Sequence, residues 1–398
     1  MGLSHEAAGL LVKDERLRVL VAPDSFKGSL TSVEVARAFA RGWQAVRPYD
    51  DVVVAPLADG GEGSVAAMAE AGGWRRRHSI VQDPLGRPVR ARWLQSSNGS
   101  RACIELASAS GLSILRGVLA PLDARTTGTG QLLLAAIAAG ATRIIIGIGG
   151  SATTDGGMGM LESLGARIRW TSGEPSGANG DHATVDLASL EPRLAGVELR
   201  VACDVANPLL GPTGAAGVYG PQKGAGAAEV ARLDRRLAAW ADALEKATGR
   251  RERETPGAGA AGGVGFCLLC LRDRFLSFDL VPGVALMMEE TGFPERLAAS
   301  DVVITGEGLI DGQTAFGKTA MGVARMAAAA DVLCIAIGGG VWPDGEAALA
   351  QLGAISLPVV ERPMSLSDAI SAGPQPLWRA AARAARLVSA GRILWARR

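Results

Sequence analysis

The chain has 398 residues, 48% of them apolar, and its 41 basic and 40 acidic side chains leave a formal charge of +1. That length predicts about two to three domains with ample core, and the charge balance excludes the electrostatic footprint of a nucleic-acid or anionic-membrane binder. No apolar run is long enough to span a bilayer, and the first residues lack a cationic start followed by an apolar core, so a cytoplasmic protein with a flexible leader over residues 1–16 is expected.

Residues 17–21 read as a buried strand, followed by the loop APDSFKGSLTS and a helix that opens on the capping box of Thr31 and Glu34. Asp24, Ser25 and Lys27 precede that helix start, where unpaired amides favour an anion. A second strand at 52–55 leads into ADGGEG, in which Asp59 and Glu62 flank two glycines, an arrangement suited to magnesium or to hydroxyl groups. From 74 to 106 the pattern changes to alternating segments broken by DPLGRP and SSNGS, which predicts antiparallel strands and the start of a second domain.

The strand at 143–146 runs into GIGGSATTDGGMGM. Gly147, Gly149 and Ala152 fit a dinucleotide-binding glycine pattern, but Gly156, Gly157 and Gly159 postpone the helix that such a site needs, and no acid stands at the ribose distance. The loop reads instead as a cradle of amides, with Gly149, Gly150, Ser151, Thr153, Thr154 and Asp155 facing a ligand. The strand at 197–202 ends in CDVANPLLGPTGAAGVYGPQKGA, with Asp204 and Asn207 just beyond it and Lys223 in a glycine-flanked turn. Gly262, Gly263 and Gly265 then allow close approach of either a ligand or another helix. Cys267 and Cys270 sit in an apolar run and are expected in the core.

Residues 301–319, DVVITGEGLIDGQTAFGKT, begin as a buried strand over 302–304 and are expected to break into a loop carrying Glu307, Asp311 and Lys318. Gly312, Gly317, Lys318 and Thr319 satisfy the Walker A pattern, yet seven residues separate the strand from the first glycine, so the match is read as fortuitous. A strand at 332–337, the turn GGGVWPDG, a strand at 354–357 and a terminal helix follow. Only five of the 41 basic residues are lysine, and three of them (Lys27, Lys223, Lys318) occupy glycine-rich loops, where a compact ammonium can follow a phosphate. The economical architecture is α/β: a parallel-sheet domain from residues 17–64 and 291–398, interrupted by a second, mixed α/β domain over 65–290.

APDSFKGSLTS, LADGGEGS, GIGGSATTDGGMGML, CDVANPLLGPTGAAGVYGPQKGA and ITGEGLIDGQTAFGKT, in that order, resemble the type-1 glycerate kinases, the bacterial glycerate 2-kinases. The resemblance runs from about residue 17 to residue 345 and implies a flavodoxin-like domain interrupted by a second α/β domain. It also implies ATP-dependent, Mg2+-assisted phosphorylation of D-glycerate, with 2-phosphoglycerate the favoured product. Family members generally keep the Gly-Lys pair of the last motif without the flanking Walker residues.

Phosphoryl transfer needs in-line positioning, cations around the transferred group and a carboxylate to orient the hydroxyl. Lys27 and Lys318 are therefore expected on phosphate, Asp204 or Asp311 as the base, and Asp59 with Glu62 or Glu307 on the metal. Ser25, the amides of residues 149–152 and Lys223 are candidates for glycerate's carboxylate, with Asp24 and Asn207 beside them. Partners are small molecules, with a homodimer left open. The alternatives are a non-catalytic anion-binding sensor, against which the density of carboxylates speaks, and a nicotinamide-dependent dehydrogenase.

Overall fold

A computed structural model describes residues 16–171, 182–312 and 319–396. The leader expected at residues 1–16 lies outside them apart from Arg16, and so does Lys318. In chain order the strands are β1 (Arg18–Val21), β2 (Asp51–Val54), β3 (Trp74–Gln82), β4 (Pro88–Ser96), β5 (Arg101–Glu105), β6 (Arg143–Gly147), β7 (Arg167–Thr171), β8 (His182–Asp186), β9 (Glu198–Ala202), β10 (Ser277–Val281), β11 (Val302–Ile310), β12 (Leu333–Val341) and β13 (Ile355–Pro358). The chain folds as two compact units with boundaries at Ala58–Asp59 and Met287–Met288, so its two ends make one unit and its middle the other.

In the unit made from the ends, five strands lie in the order β13-β12-β11-β1-β2, every neighbouring pair parallel. Val19, Val21, Val302 and Ile304 are buried in it, as expected of apolar runs covered on both faces. The helix Ser32–Gln44 starts on the predicted box, Thr31 N donating to Glu34 Oε2 at 2.9 Å and Glu34 N to Thr31 Oγ1 at 3.3 Å. At its end Arg47 and Asp50 form a buried pair 2.6 Å apart, and Asp50 also accepts from Trp43 Nε1 and from the amide of Leu17, so the carboxylate loses water without losing partners.

Two sequence expectations change here. The strands expected to stop at 304 and 337 continue to Ile310 and Val341, because Gly306, Glu307, Leu309 and Ile310 pair in parallel with Ile337, Gly338, Gly340 and Val341. The glycines serve that ladder: a side chain at Gly306 would collide with the carbonyl of Ile337, and one at Gly339 with that of Gly308. Glu307 is accordingly a buried strand residue and not a loop residue, and 338–340 is strand and not turn.

The inserted unit holds a six-stranded sheet, β10-β9-β6-β5-β4-β3, in which β5, β6, β9 and β10 are parallel and β3 and β4 antiparallel. The latter are the alternating segments predicted after residue 74. β7 and β8 form a separate antiparallel pair. The core includes Ile104, Leu132, Ile146, Leu237, Trp240 and Phe266. Cys267 and Cys270 are buried in the helix Ala260–Cys270, in keeping with a core role. Among the described residues no helix is long and apolar enough to cross a membrane.

Candidate active site

The four parallel strands of the inserted unit end level with one another: Glu105 pairs with Gly147, Gly147 with Ala202, and Ala202 with Val281. The carboxyl edge of a parallel sheet is where ligands bind in open α/β folds. Two sequence-predicted segments leave this row, the glycine loop after Gly147 and the Asp204 segment after Ala202, and the helix Gly283–Glu290 leaves it after Val281.

The segment carrying Asp59 and Glu62 lies across the same row. A side chain at Gly147 would collide with the carbonyl of Gly60, one at Gly149 would come to 2.6 Å from Gly61 Cα, and one at Gly60 would strike Ala202. Asp59 Oδ1 accepts from the amide of Gly61 at 3.0 Å, and a side chain at Gly283 would run into the carbonyl of Asp59 while lying 3.0 Å from Asp204 Oδ2. Asp204 Oδ1 accepts from the amide of Gly283 at 2.7 Å. Glycine at 60, 61, 147, 149 and 283 thus lets four backbone segments close to contact, bringing together Asp59, Glu62, Gly149, Gly150 and Asp204.

Other predicted residues are placed deeper. Asn207 spends both ends of its amide internally, Nδ2 donating to Thr213 O at 2.8 Å and Oδ1 accepting from Tyr219 OH at 2.6 Å. Asp155 turns inward, accepting from Thr126 N and Oγ1 and from the amides of Gly157 and Gly159, so it organises the start of the helix Met158–Ser163 and does not face a ligand as expected. Lys223 is 2% exposed and donates to Ser151 Oγ at 2.9 Å and Thr153 O at 2.5 Å; burial pushes its ammonium down to about 7, with Asp155 opposing that shift. The choice left open for the later glycine cluster resolves as packing: side chains at Gly262 and Gly263 would meet Thr153 O and Gly156 Cα, so that cluster backs the glycine loop.

In the unit made from the ends, Asp24, Ser25 and Lys27 follow β1. Asp24 Oδ2 accepts from Thr319 Oγ1 at 2.7 Å, the amide of Asp24 donates to Gly306 O at 2.8 Å, and Lys27 is exposed. The hydroxyl that completes the Walker pattern is thereby held by a side chain of the first loop. Asp311 stands at the end of β11, packed so that a side chain at Gly345 would sit 2.7 Å from its amide.

The glycerate kinase family model matches residues 19–389 of this chain. The chain belongs to the glycerate kinase family. It is 46% identical over 341 residues to a glycerate kinase of Bacillus subtilis (strain 168), covering 83% of this chain and 87% of that one. It is 42% identical over 333 residues to a glycerate 2-kinase of Escherichia coli (strain K12), covering 82% and 86%. A Salmonella typhimurium LT2 crystal structure assigned to glycerate kinase 2 superposes with a TM-score of 0.79 at 38% identity, over 95% of this chain and 99% of that one.

Sequence reading missed Glu105. It closes β5, is buried, and accepts from the amide of Val65 in the first turn of the helix Ser64–Ala71. Burial pushes its carboxyl up to about 7; the Val65 and Gly63 amides pull it down and the charge of Glu62 pushes it further up. The signal that would have found it is the apolar run ACIE at the end of a parallel strand, where a terminal acid falls level with Gly147.

Proposed function

We propose that this chain transfers a phosphoryl group from ATP to a hydroxyl of D-glycerate and that the product is 2-phosphoglycerate. The observation that carries the reading is the gathering of two carboxylate-bearing segments, at Asp59–Glu62 and Asp204, against the amides of Gly149 and Gly150 at the carboxyl edge of a parallel sheet, in a chain of this family. Amides and hydroxyls hold the substrate's anionic group, and a carboxylate orients the attacking oxygen. Asp204 is assigned as the base that accepts the hydroxyl proton, with Asp311 the competing candidate. Lys27 and Lys318 are assigned to the nucleotide phosphates, with Asp24 and Ser25 beside Lys27. Glycerate's carboxylate is assigned to Ser151 and the amides of residues 149–152.

Among the described residues no three acidic, histidine or cysteine side chains cluster as a preformed metal cage. The paired carboxylates of Asp59 and Glu62 fit magnesium, which binds through one or two carboxylates and completes its shell with waters and substrate phosphates. Asp59 with Glu62, or Glu307, would hold it, and it would neutralise charge on the phosphates. The all-parallel order of the chain-end sheet, second-first-third-fourth-fifth in chain order, supports the flavodoxin-like assignment.

A coupled ADP-release assay with D-glycerate and MgATP tests the reading: glycerate-dependent turnover is expected, and its absence with folded protein overturns it. Phosphorus NMR of the product distinguishes attack by the 2-hydroxyl from attack by the 3-hydroxyl.

A further inference from the structure

A lysine ammonium removed from water needs partners for three donors and has no acceptor to offer. Lys223 meets that need without an ion pair: its hydrogen bonds go to Ser151 Oγ and to the carbonyl of Thr153, and Asp155 acts on it only at a distance. The lysine sits at the end of the short turn Pro221–Lys223 and reaches across 72 positions of sequence to the glycine loop. The loop is pinned from its other side as well, since Ala152 N donates to Ser110 O at 2.9 Å and Leu112 N to Gly150 O at 3.1 Å.

The direction of the first bond matters chemically. A serine hydroxyl has one proton and two lone pairs, and the ammonium, having no lone pair of its own, occupies one of the lone pairs. The proton of Ser151 is then committed to some acceptor other than Lys223, and among the described residues no other hydrogen bond to that hydroxyl is present. Gly150, with φ of 72°, sets the turn immediately before it. Hydrogen bonds from charged donors are roughly twice as strong as neutral ones, and a hydroxyl that accepts from a cation becomes a better donor in its turn.

We infer that Lys223 is a positioning residue that touches no substrate and instead, in its protonated form, fixes Ser151 as a donor aimed at the carboxylate of glycerate. This rests on the assignment of Ser151 to the substrate's carboxylate and changes what the lysine does there. Lys223→Met keeps the buried chain and removes the donors; Ser151→Ala removes the hydroxyl; the double variant tests whether the two act as one.

Steady-state kinetics with D-glycerate and ATP varied in turn, on variants checked by thermal melting, decide it. Ser151→Ala and Lys223→Met are each expected to raise the KM for glycerate by about tenfold to a hundredfold, with kcat and the KM for ATP changed less than about threefold, and the double variant should be no worse than Ser151→Ala alone. Ser151→Thr, which restores a hydroxyl, should recover much of the loss. An unchanged glycerate KM in Ser151→Ala removes the substrate assignment of that serine and the inference with it. A raised KM in Ser151→Ala combined with a normal one in Lys223→Met, or effects that multiply in the double variant, overturns the role of Lys223 and leaves the substrate assignment standing. Lys223→Leu substitutes if Lys223→Met does not fold, and failure of both to fold assigns the lysine to the scaffold and overturns the inference.

Discussion

Both units of this chain place glycine at the ends of parallel strands, and the outcomes differ. In the unit made from the chain ends, Gly306, Gly308 and Gly338–Gly340 let β11 and β12 keep pairing, so the ladder runs through nine residues of each and Glu307 becomes part of it. In the inserted unit the sheet stops at Gly147, and glycine lets a second segment, Gly60 and Gly61, lie directly on the strand ends. A glycine run after a buried strand is therefore ambiguous by itself. What stands opposite it, another strand with the same opportunity or a crossing loop, decides whether it continues the sheet or opens a site.

The largest test of that contrast is catalytic. Asp204→Asn should lower kcat by about a hundredfold to ten-thousandfold with an unchanged melting temperature, the range for losing a positioned base. Asp311→Asn made alongside it identifies which unit supplies the base: a deeper loss in that variant would move the role to the end of β11.

The next test is of stability. Gly262 has a φ of 67°, and a side chain there collides with the carbonyl of Thr153, so Gly262→Ala should cost roughly 3 kcal/mol in chemical denaturation. Gly340 lies in the ladder, where a side chain would come to 3.0 Å from Leu309 Cδ1, the movable end of an exposed residue, and Gly340→Ala should cost less than about 1 kcal/mol. Equal costs would erase the distinction between glycines that seat a loop and glycines that line a ladder.

A third, finer test uses pH. Burial lowers the folded-state value of Lys223 from 10.5 to about 7, so between those values the unfolded chain binds more protons and stability from this group rises with pH. Burial raises that of Glu105 from 4.5 to about 7, so between 4.5 and 7 the folded chain binds more protons and stability from this group falls as pH rises. Melting temperatures measured across pH should lose the alkaline rise in Lys223→Met and the acid-side fall in Glu105→Gln; a wild-type profile in either variant removes that group from the account.

The smallest expected effect distinguishes the true use of Thr319 from its Walker-like appearance. Thr319→Val deletes the hydrogen bond to Asp24 and should cost about 1 kcal/mol of stability, while the magnesium dependence of turnover stays as it was. A large rise in the magnesium requirement would restore a P-loop role to that hydroxyl.

Much of the fold was legible because local signals agreed with one another. The apolar runs at β1, β6, β9 and β11 and the box at Thr31 and Glu34 each fixed an element without help from distant residues. The site was legible only as a set of residue types. Asp204 and Asp59 were recognisable as acids beyond strand ends, whereas Asp155 has the same chemistry and a similar setting, yet four donors from its own fold claim it. Glu105 ends an apolar strand, and that local signal is weak by itself because its weight depends on the register with Gly147 and on the helix start at Val65 that settles onto it.

By itself the sequence determined the family, the alternation of strands and helices, and the interruption of one unit by another, since each depends on residues near in the chain. The tertiary structure alone decided which carboxylates point outward, that Lys223 is buried beneath the glycine loop, and where each glycine's missing side chain matters. Those outcomes depend on what approaches from tens or hundreds of positions away. Burial, hydrogen-bond saturation and steric contact are properties of that approach and not of the residue.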